Sequence, residues 1–327
     1  MHQESSNASR GPDTPALTQQ FWCPACHDGA LHPEAGAMRC AACAQAYPVR
    51  RGTPVLIVDE RSVFTRDDFT DSSMYEGAAY GTHIDSTHGL RSGYRQLMRF
   101  LKDWGTASAS TSSSAAITEV CRQRSRPRIL VIGAGVVRFD QAADFTYTDV
   151  SFSDGIACLA DAHDLPFADA SFDMVVAVAV LEHVADPQRV EAEMRRVLVH
   201  DGWVYAATPF LQPVHMGAYD FTRFTHLGHR RLFRHYSEID SGPALGPGWV
   251  LGSAWHSFLV SFSRGRWSRR LLNLAGTLLS IPWRWLDPLT LRTPAGSDAA
   301  GSVYFFGRRA AQPISDRELI GLYRGGG

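Results

Sequence analysis

Ile129-Leu-Val-Ile-Gly-Ala-Gly135 decides the fold. An apolar run that breaks into glycines is what a buried strand does where it turns into a ligand loop. Downstream, Phe145-Thr-Tyr-Thr-Asp149 is a short β-prone run ending on an acid. Cys158-Leu-Ala-Asp-Ala-His-Asp-Leu-Pro-Phe167 then leads into Ser171-Phe-Asp-Met-Val-Val-Ala-Val-Ala-Val-Leu-Glu-His-Val184. The segment 187–198 is amphipathic, and Gly202-Trp-Val-Tyr-Ala-Ala-Thr-Pro-Phe210 is again strand-like. Apolar runs alternating with helix-like ones predict an α/β fold: a mostly parallel sheet covered on both faces by helices.

The order of these motifs resembles the class I S-adenosylmethionine-dependent methyltransferases, type 11-like, over roughly residues 127–265. The motifs that carry the resemblance are the glycine loop, the acid closing the second strand, Asp161-Ala-His-x-Leu-Pro-Phe, Ser-Phe-Asp173, Leu181-Glu-His-Val, Arg-Val-Leu198 and Gly202-Trp. The tail, Thr208-Pro-Phe-x4-His215-x4-Asp220-Phe-Thr-Arg223-Phe-Thr225, looks like a bacterial subgroup associated with surface-polysaccharide and other secondary pathways. The resemblance implies a Rossmann-like fold with a seven-stranded sheet, and S-adenosylmethionine as cofactor. It also implies methyl transfer to an O or N of a small-molecule or glycan-linked acceptor.

Site residues follow one by one. Gly133, Ala134 and Gly135 let backbone approach a ligand at the carboxyl end of the first strand. Nicotinamide binding through G-x-G-x-x-G is disfavoured, because Arg138 stands at the third glycine position. The family's pattern has a further glycine near Val137, so this loop departs from it too. The short interval to Asp149 requires the usual first helix to be trimmed, as in the resembled subgroup. In the family's pattern Asp149 takes the ribose hydroxyls, and Asp161, with Ala162 and His163, meets the adenine amino group. Leu165 and Phe167 are adenine-wall candidates or core. Leu181, Glu182 and His183 face the methionine portion. His183 orients substrate, accepts a proton, or simply holds the loop. Glu193, Arg195 and Arg196 read as a solvated helix face. In the tail, His215, Tyr219, Asp220, Arg223 and Thr225 supply a base, a carboxylate to orient it and a cation; the alternative is a lid with an Asp220–Arg223 ion pair. His226, His229 and His235 show no ligand spacing and read as surface or packing residues.

Ahead of this domain, Cys23-Pro-Ala-Cys26 and Cys40-Ala-Ala-Cys43 pair four of the chain's six cysteines. Two C-x2-C turns a short loop apart complete a tetrahedral four-thiolate site. A closed thiolate shell is structural, so zinc is expected as a structural ion and not as the catalyst. His27 and His32 are alternative ligands, but the cysteines fill the shell. Tyr47-Pro-Val-Arg-Arg-Gly-Thr-Pro-Val-Leu-Ile-Val58 resembles the end of small zinc-ribbon domains found before, or in complex with, methyltransferases.

Composition sets the outer bounds. The 327 residues are 45% hydrophobic and 20% charged with a formal net charge of −1, an ordinary globular balance with no long-range attraction for polyanions. Residues 1–18 are polar and lack the apolar core of a signal peptide, which predicts a disordered leader and a cytoplasmic chain. The expected organisation is a zinc ribbon at 19–60, a helical linker or cap at 61–126 and the methyltransferase domain at 127–312. An amphipathic insertion at about 263–292 and a tail at 313–327 complete it. Within the cap, residues 94–104 fit one helix face, capping the cofactor pocket or packing on the sheet; residues 106–116 read as a flexible linker. Residues 249–262 are expected to form the sixth strand and a following helix, and Gly301-Ser-Val-Tyr-Phe-Phe-Gly-Arg308 the last strand. Residues 267–291 carry tryptophans and leucines among arginines, too short an apolar run to span a membrane. They offer peripheral contact with the inner face of a membrane, internal packing or a homodimer surface. Two further functions stay open: a catalytically silent binding scaffold, and an RNA methyltransferase, against which the missing basic charge counts.

Overall fold

A computed structural model describes residues 20–69 and 112–326. The leader at 1–18 and the helix expected at 94–104 lie outside the described residues.

Four short strands open the chain: β1 (Leu31–Glu34), β2 (Ala37–Cys40), β3 (Ala46–Arg50) and β4 (Thr53–Leu56), paired antiparallel in sequence. Seven more follow: β5 (Arg128–Ile132), β6 (Asp144–Asp149), β7 (Cys158–Ala160), β8 (Phe172–Val178), β9 (Leu198–Pro209), β10 (Tyr236–Leu245) and β11 (Ser302–Arg309). The sheet order is β1-β2-β3-β4-β7-β6-β5-β8-β9-β11-β10. β7 through β9 run parallel, and β11 is the antiparallel strand inserted between β9 and β10. The last seven strands thus form the expected seven-stranded sheet. The ribbon is continuous with it, because Val55 and Leu56 pair in parallel with Leu159 and Ala160.

Burial follows the strand patterns. β8 is buried along Phe172–Ala177, as an apolar strand covered on both faces must be. One face carries the helix Ser113–Gln123, whose Ala116, Ile117 and Val120 pack on Ile129, Val131 and Met174. Opposite, the helix Pro187–Val197 and the ribbon residues Phe21 and Tyr47 join Leu130, Ile132 and Val175. At the entrance to β8, the Asp173 carboxylate takes the Arg128 amide at 2.8 Å and pairs with the Arg124 guanidinium. Burial alone would raise its pKa, but these partners hold it below the usual carboxylate range.

Three expectations change. The linker read at 106–116 is already helical from Ser113, because Ser112 caps the helix by accepting from the Ala115 amide at 3.2 Å. The sixth strand is Tyr236–Leu245, and residues 247–261 are entirely helix, started by Gly246 and Pro247. Glu193 and Arg196 are no solvated face. Glu193 accepts from the Leu165 amide at 2.8 Å, and Arg196 donates to the Leu165 and Phe167 carbonyls at 2.9 and 2.7 Å. They clamp the loop between β7 and β8. Arg195 pairs with buried Glu191 at 3.1 Å.

The long helix of the insertion, Arg266–Arg284, forms a helical hairpin with Pro247–Ser261. Trp255, Phe258, Trp267, Leu271 and Leu279 remain exposed on it, so internal packing accounts for only part of its apolar surface. No helix among the described residues is long and apolar enough to cross a membrane.

His229 shows what burial does to a titratable group. It lies in the helix His226–Leu232, 1% exposed, with its ring 5.0 Å from Phe233 and 5.9 Å from Phe224. Burial, helped by the neighbouring His226, pushes its pKa down to about 3. The folded chain therefore keeps it neutral while the unfolded chain protonates it below about pH 6.5. Its contribution to stability should be present above pH 6.5 and decline by about 1.4 kcal/mol per pH unit as pH falls toward 3. Urea midpoints at pH 7.5 and pH 5.5 check this: His229→Leu should lose less stability than wild type between the two, and equal losses would refute it.

Candidate active site and thiolate centre

The strand order reverses at β5, with β6 on one side and β8 on the other. Open α/β sheets bind ligands at such a switch point, outside the carboxyl ends of the strands. The glycine loop sits there. Gly133 and Gly135 have φ of 61° and 51°, a left-handed conformation that glycine adopts without strain. The Gly135 amide donates to Asp149 Oδ2 at 2.7 Å, and the Ser151 amide and hydroxyl hold Oδ1 at 2.9 Å. Loop and acid are thus one unit, with Asp149 7% exposed.

No helix occupies residues 133–143, so the expected trimming is present. Arg138, the residue that breaks the dinucleotide pattern, braces the loop instead. It donates to the Val137 carbonyl at 2.6 Å, the Ser153 hydroxyl at 3.1 Å and the Asp154 carbonyl, and lies 4.6 Å from the centre of the Tyr147 ring.

At the end of β7, Asp161 Oδ1 accepts from the His163 amide at 2.9 Å and meets its Nδ1 at 2.5 Å; Oδ2 accepts from the Ser62 hydroxyl. Burial would raise the Asp161 pKa, but His163 and Ser62 hold it below the usual carboxylate range. His163 Nε2 accepts from the Asp186 amide at 3.1 Å, so both ring nitrogens are engaged. Ala162 is 6% exposed, while Leu165 and Phe167 are core. Leu181, expected at the ligand, is fully buried in the same apolar cluster. It anchors the turn that presents its neighbours.

That turn forms the other wall. Ala179 adopts φ 54° straight after β8, redirecting the chain so that Glu182 and His183 follow at the strand's end. His183 Nδ1 lies 2.6 Å from the Tyr219 carbonyl. A carbonyl only accepts, so Nδ1 carries a proton, and it is Nε2 that offers the lone pair of the neutral ring. The segment 213–225 closes over this wall: the Phe221 and Thr222 amides donate to the Glu182 carbonyl at 2.8 and 3.2 Å. The expected His215, Asp220 and Arg223 come together in it. Asp220 accepts from the His215 amide at 2.8 Å and from the Arg223 guanidinium at 2.5 Å, and its Oδ2 is 3.5 Å from His215 Nδ1. The rings of His183 and His215 meet edge to face at 4.8 Å. Glu182, expected only to face the cofactor's methionine portion, has its side chain 3.6 Å from His215 Nε2, a pairing that sequence reasoning did not foresee. The available signal was an acid directly before a histidine at the end of an otherwise apolar strand.

The second centre is the thiolate cluster. The four Sγ atoms of Cys23, Cys26, Cys40 and Cys43 lie within 4.8 Å of one another. Cys23–Cys43 and Cys26–Cys40 are each 3.7 Å apart. An ion with four sulfurs at about 2.3 Å in a tetrahedron needs sulfur–sulfur distances of about 3.8 Å, so the donor set fits such an ion. Amides of Ala42 and Cys43 donate to Cys40 Sγ at 3.4 and 3.5 Å. Burial would raise the Cys40 thiol, but those amides bring it down to about 7, ready to ligate as thiolate. His27 points elsewhere, its Nε2 being 3.8 Å from Asp164. The same Asp164 takes Arg189 at 2.6 Å and lies 3.5 Å from Arg61, which donates to the Pro24 and Ala25 carbonyls at 2.5 and 3.1 Å. Phe64 stacks on Tyr219 at 5.5 Å. The segment leaving the ribbon therefore touches both the end of β7 and the segment over β8.

The model of the methyltransferase domain family matches residues 92–206. Among solved structures, the 1,6-didemethyltoxoflavin N1-methyltransferase of Burkholderia thailandensis is 16% identical with a TM-score of 0.38, covering 68% of this chain and 87% of that one. An S-adenosylmethionine-dependent methyltransferase of Thermotoga maritima is 15% identical with a TM-score of 0.38, covering 67% and 96%. Residues 92–206 thus carry the match to a methyltransferase domain.

Proposed function

We propose that the chain transfers a methyl group from S-adenosylmethionine to an oxygen or nitrogen of a small-molecule or glycan-linked acceptor. One observation carries the reading: at the carboxyl ends of β5, β6 and β8, a left-handed glycine turn bonded to a buried acid packs against Val180, in the turn that leads to His183 and its neighbour His215. Gly133, Ala134 and Gly135 would lie along the donor, Asp149 would take its ribose hydroxyls, and Asp161, Ala162 and His163 would frame the adenine. For Asp149 and Asp161, donor hydroxyl and amino groups would compete with the Ser151 and Ser62 contacts.

Methyl transfer from a sulfonium is an in-line displacement: the new bond to the acceptor forms as the carbon–sulfur bond breaks, and the electron pair goes to sulfur. The protein chiefly aligns the two partners, and removes a proton only where the acceptor carries one to lose. His183, His215, Asp220 and Arg223 would bind and orient the acceptor, with Asp220 holding His215. A zinc ion in the four-thiolate centre would be structural, giving ribbon residues 19–60 a fixed core beside a methyltransferase domain at 127–312.

The test is transfer from methyl-labelled donor across a set of hydroxyl and amine acceptors. Labelled product is expected with at least one acceptor class, and Asp149→Ala should reduce it by more than about 100-fold at subsaturating donor, the loss of two ribose hydrogen bonds to a charged group. No transfer to any acceptor by protein that binds donor would favour the silent scaffold.

A further inference from the structure

We propose that Glu182, His183 and His215 form a second metal site, a two-histidine, one-carboxylate triad for a divalent cation at the acceptor wall. The inference rests on the proposed acceptor side and adds to it an ion distinct from the one expected in the thiolate centre.

Three observations carry it. First, the Glu182 side chain is 0% exposed, and neither carboxylate oxygen has a hydrogen-bond partner among the described residues. A buried carboxylate is expensive unless it is paired or binds a metal. Second, both histidines turn the same atom toward it: Nε2 of His183 is 3.7 Å and Nε2 of His215 is 3.6 Å from Glu182 Oε1. The three ligand atoms lie within 4.8 Å of one another. These separations are too long for hydrogen bonds. They are close to the roughly 3–3.5 Å between ligands that each sit about 2.0–2.2 Å from a shared ion.

Third, the outer contacts are those of metal-ligating histidines. His183 donates Nδ1–H to the Tyr219 carbonyl, which leaves Nε2 as a donor of its lone pair, and His215 Nδ1 faces Asp220. A ligating imidazole whose other nitrogen rests on a carbonyl or carboxylate is fixed in tautomer and orientation. The charges agree. Arg223 is committed to Asp220, so among the described residues Glu182 faces the two imidazoles and no arginine or lysine.

Two imidazoles and one carboxylate suit borderline ions such as Co(II), Fe(II), Mn(II) or Zn(II). Three protein ligands leave positions open, unlike the closed thiolate shell. His215 is the outermost member, with 40% of its side chain exposed, so the open positions face outward where an acceptor oxygen would enter. The competing arrangement, a simple His215–Glu182 ion pair, gives no stoichiometric ion binding.

The probe is Co(II) alone, titrated by calorimetry and absorption into full-length protein whose thiolate centre has been loaded with zinc. One equivalent should bind without the near-ultraviolet thiolate charge-transfer band that cobalt in the cysteine cluster would give. Glu182→Gln and His215→Ala should each weaken that binding by more than about 10-fold, while one retained equivalent of zinc shows the ribbon intact. No cobalt binding by folded wild type, a thiolate band, or unchanged binding in either variant overturns the triad. S-adenosylhomocysteine binding, measured on the same samples, separates failure of the metal site from failure of the donor site. Its retention without cobalt binding refutes the metal site alone, and its loss counts against the donor reading.

Discussion

Cys40→Ser is expected to abolish binding of the ion proposed for the four-thiolate centre and to destabilise the chain by on the order of 5 kcal/mol, part of the roughly 10–16 kcal/mol that a structural zinc supplies to a small domain. Cys40 is buried, takes two amide hydrogen bonds and ends β2. Serine keeps the size but is a poor ligand for a soft thiolate centre. The loss should not stay local. β4 continues the sheet beside β7, Arg61 ties the first cysteine knuckle to Asp164, and Ser62 donates to Asp161. Donor affinity should therefore fall along with zinc content and thermal stability, although no ribbon cysteine touches the donor site. Metal analysis and a thermal melt of the variant check the first part, and donor titration the second. One retained equivalent of zinc with a wild-type melt would show that the cluster does not bind a structural ion.

Gly133→Ala should lower donor affinity by about 10- to 100-fold, or about 1.4–2.8 kcal/mol. Gly133 combines φ 61° with a close approach: a Cβ there would collide with Val180 Cγ2. Alanine costs roughly 1–2 kcal/mol in that conformation before any clash. Val180 is buried at the turn leading to Glu182 and His183, so relief of the clash must move the glycine loop or the acceptor wall. Gly135 is the internal control. It shares the left-handed φ, but nothing among the described residues lies within 4 Å of its Cβ position, so Gly135→Ala should disturb binding less than Gly133→Ala. Calorimetric titration of the two variants checks the order; equal affinities would mean that the Val180 contact does not set the loop.

Much of this was legible in residues 129–184 because the parallel strands are short, apolar and punctuated. Gly133 and Gly135 mark the end of one, Asp149 the end of the next, and β8 is too uniformly apolar to be anything but central. The thiolate pairs were legible because two C-x2-C turns a short loop apart have few other uses than holding a metal. The failures have definite causes. Residues 247–261 are apolar all round, a pattern that does not separate a buried strand from a helix, while Tyr236–Leu245 carries Ser, Glu, Asp, Gly and Pro and is broken by register shifts. Arg138 stood where a glycine was sought, and its value lies in contacts with Ser153 and Asp154 that no local pattern reveals. Glu193 and Arg196 look like an exposed i,i+3 pair until the β7–β8 loop folds under them. Glu182 was hidden because its meaning depends on His215, which only the fold brings next to it.

The central claim is that the switch point of this sheet binds a methyl donor. Calorimetric titration of zinc-loaded, full-length wild type with S-adenosylhomocysteine tests it most directly. One-to-one binding in the micromolar range is the predicted result. No detectable heat or competition from well-folded protein, with its zinc in place, would contradict it.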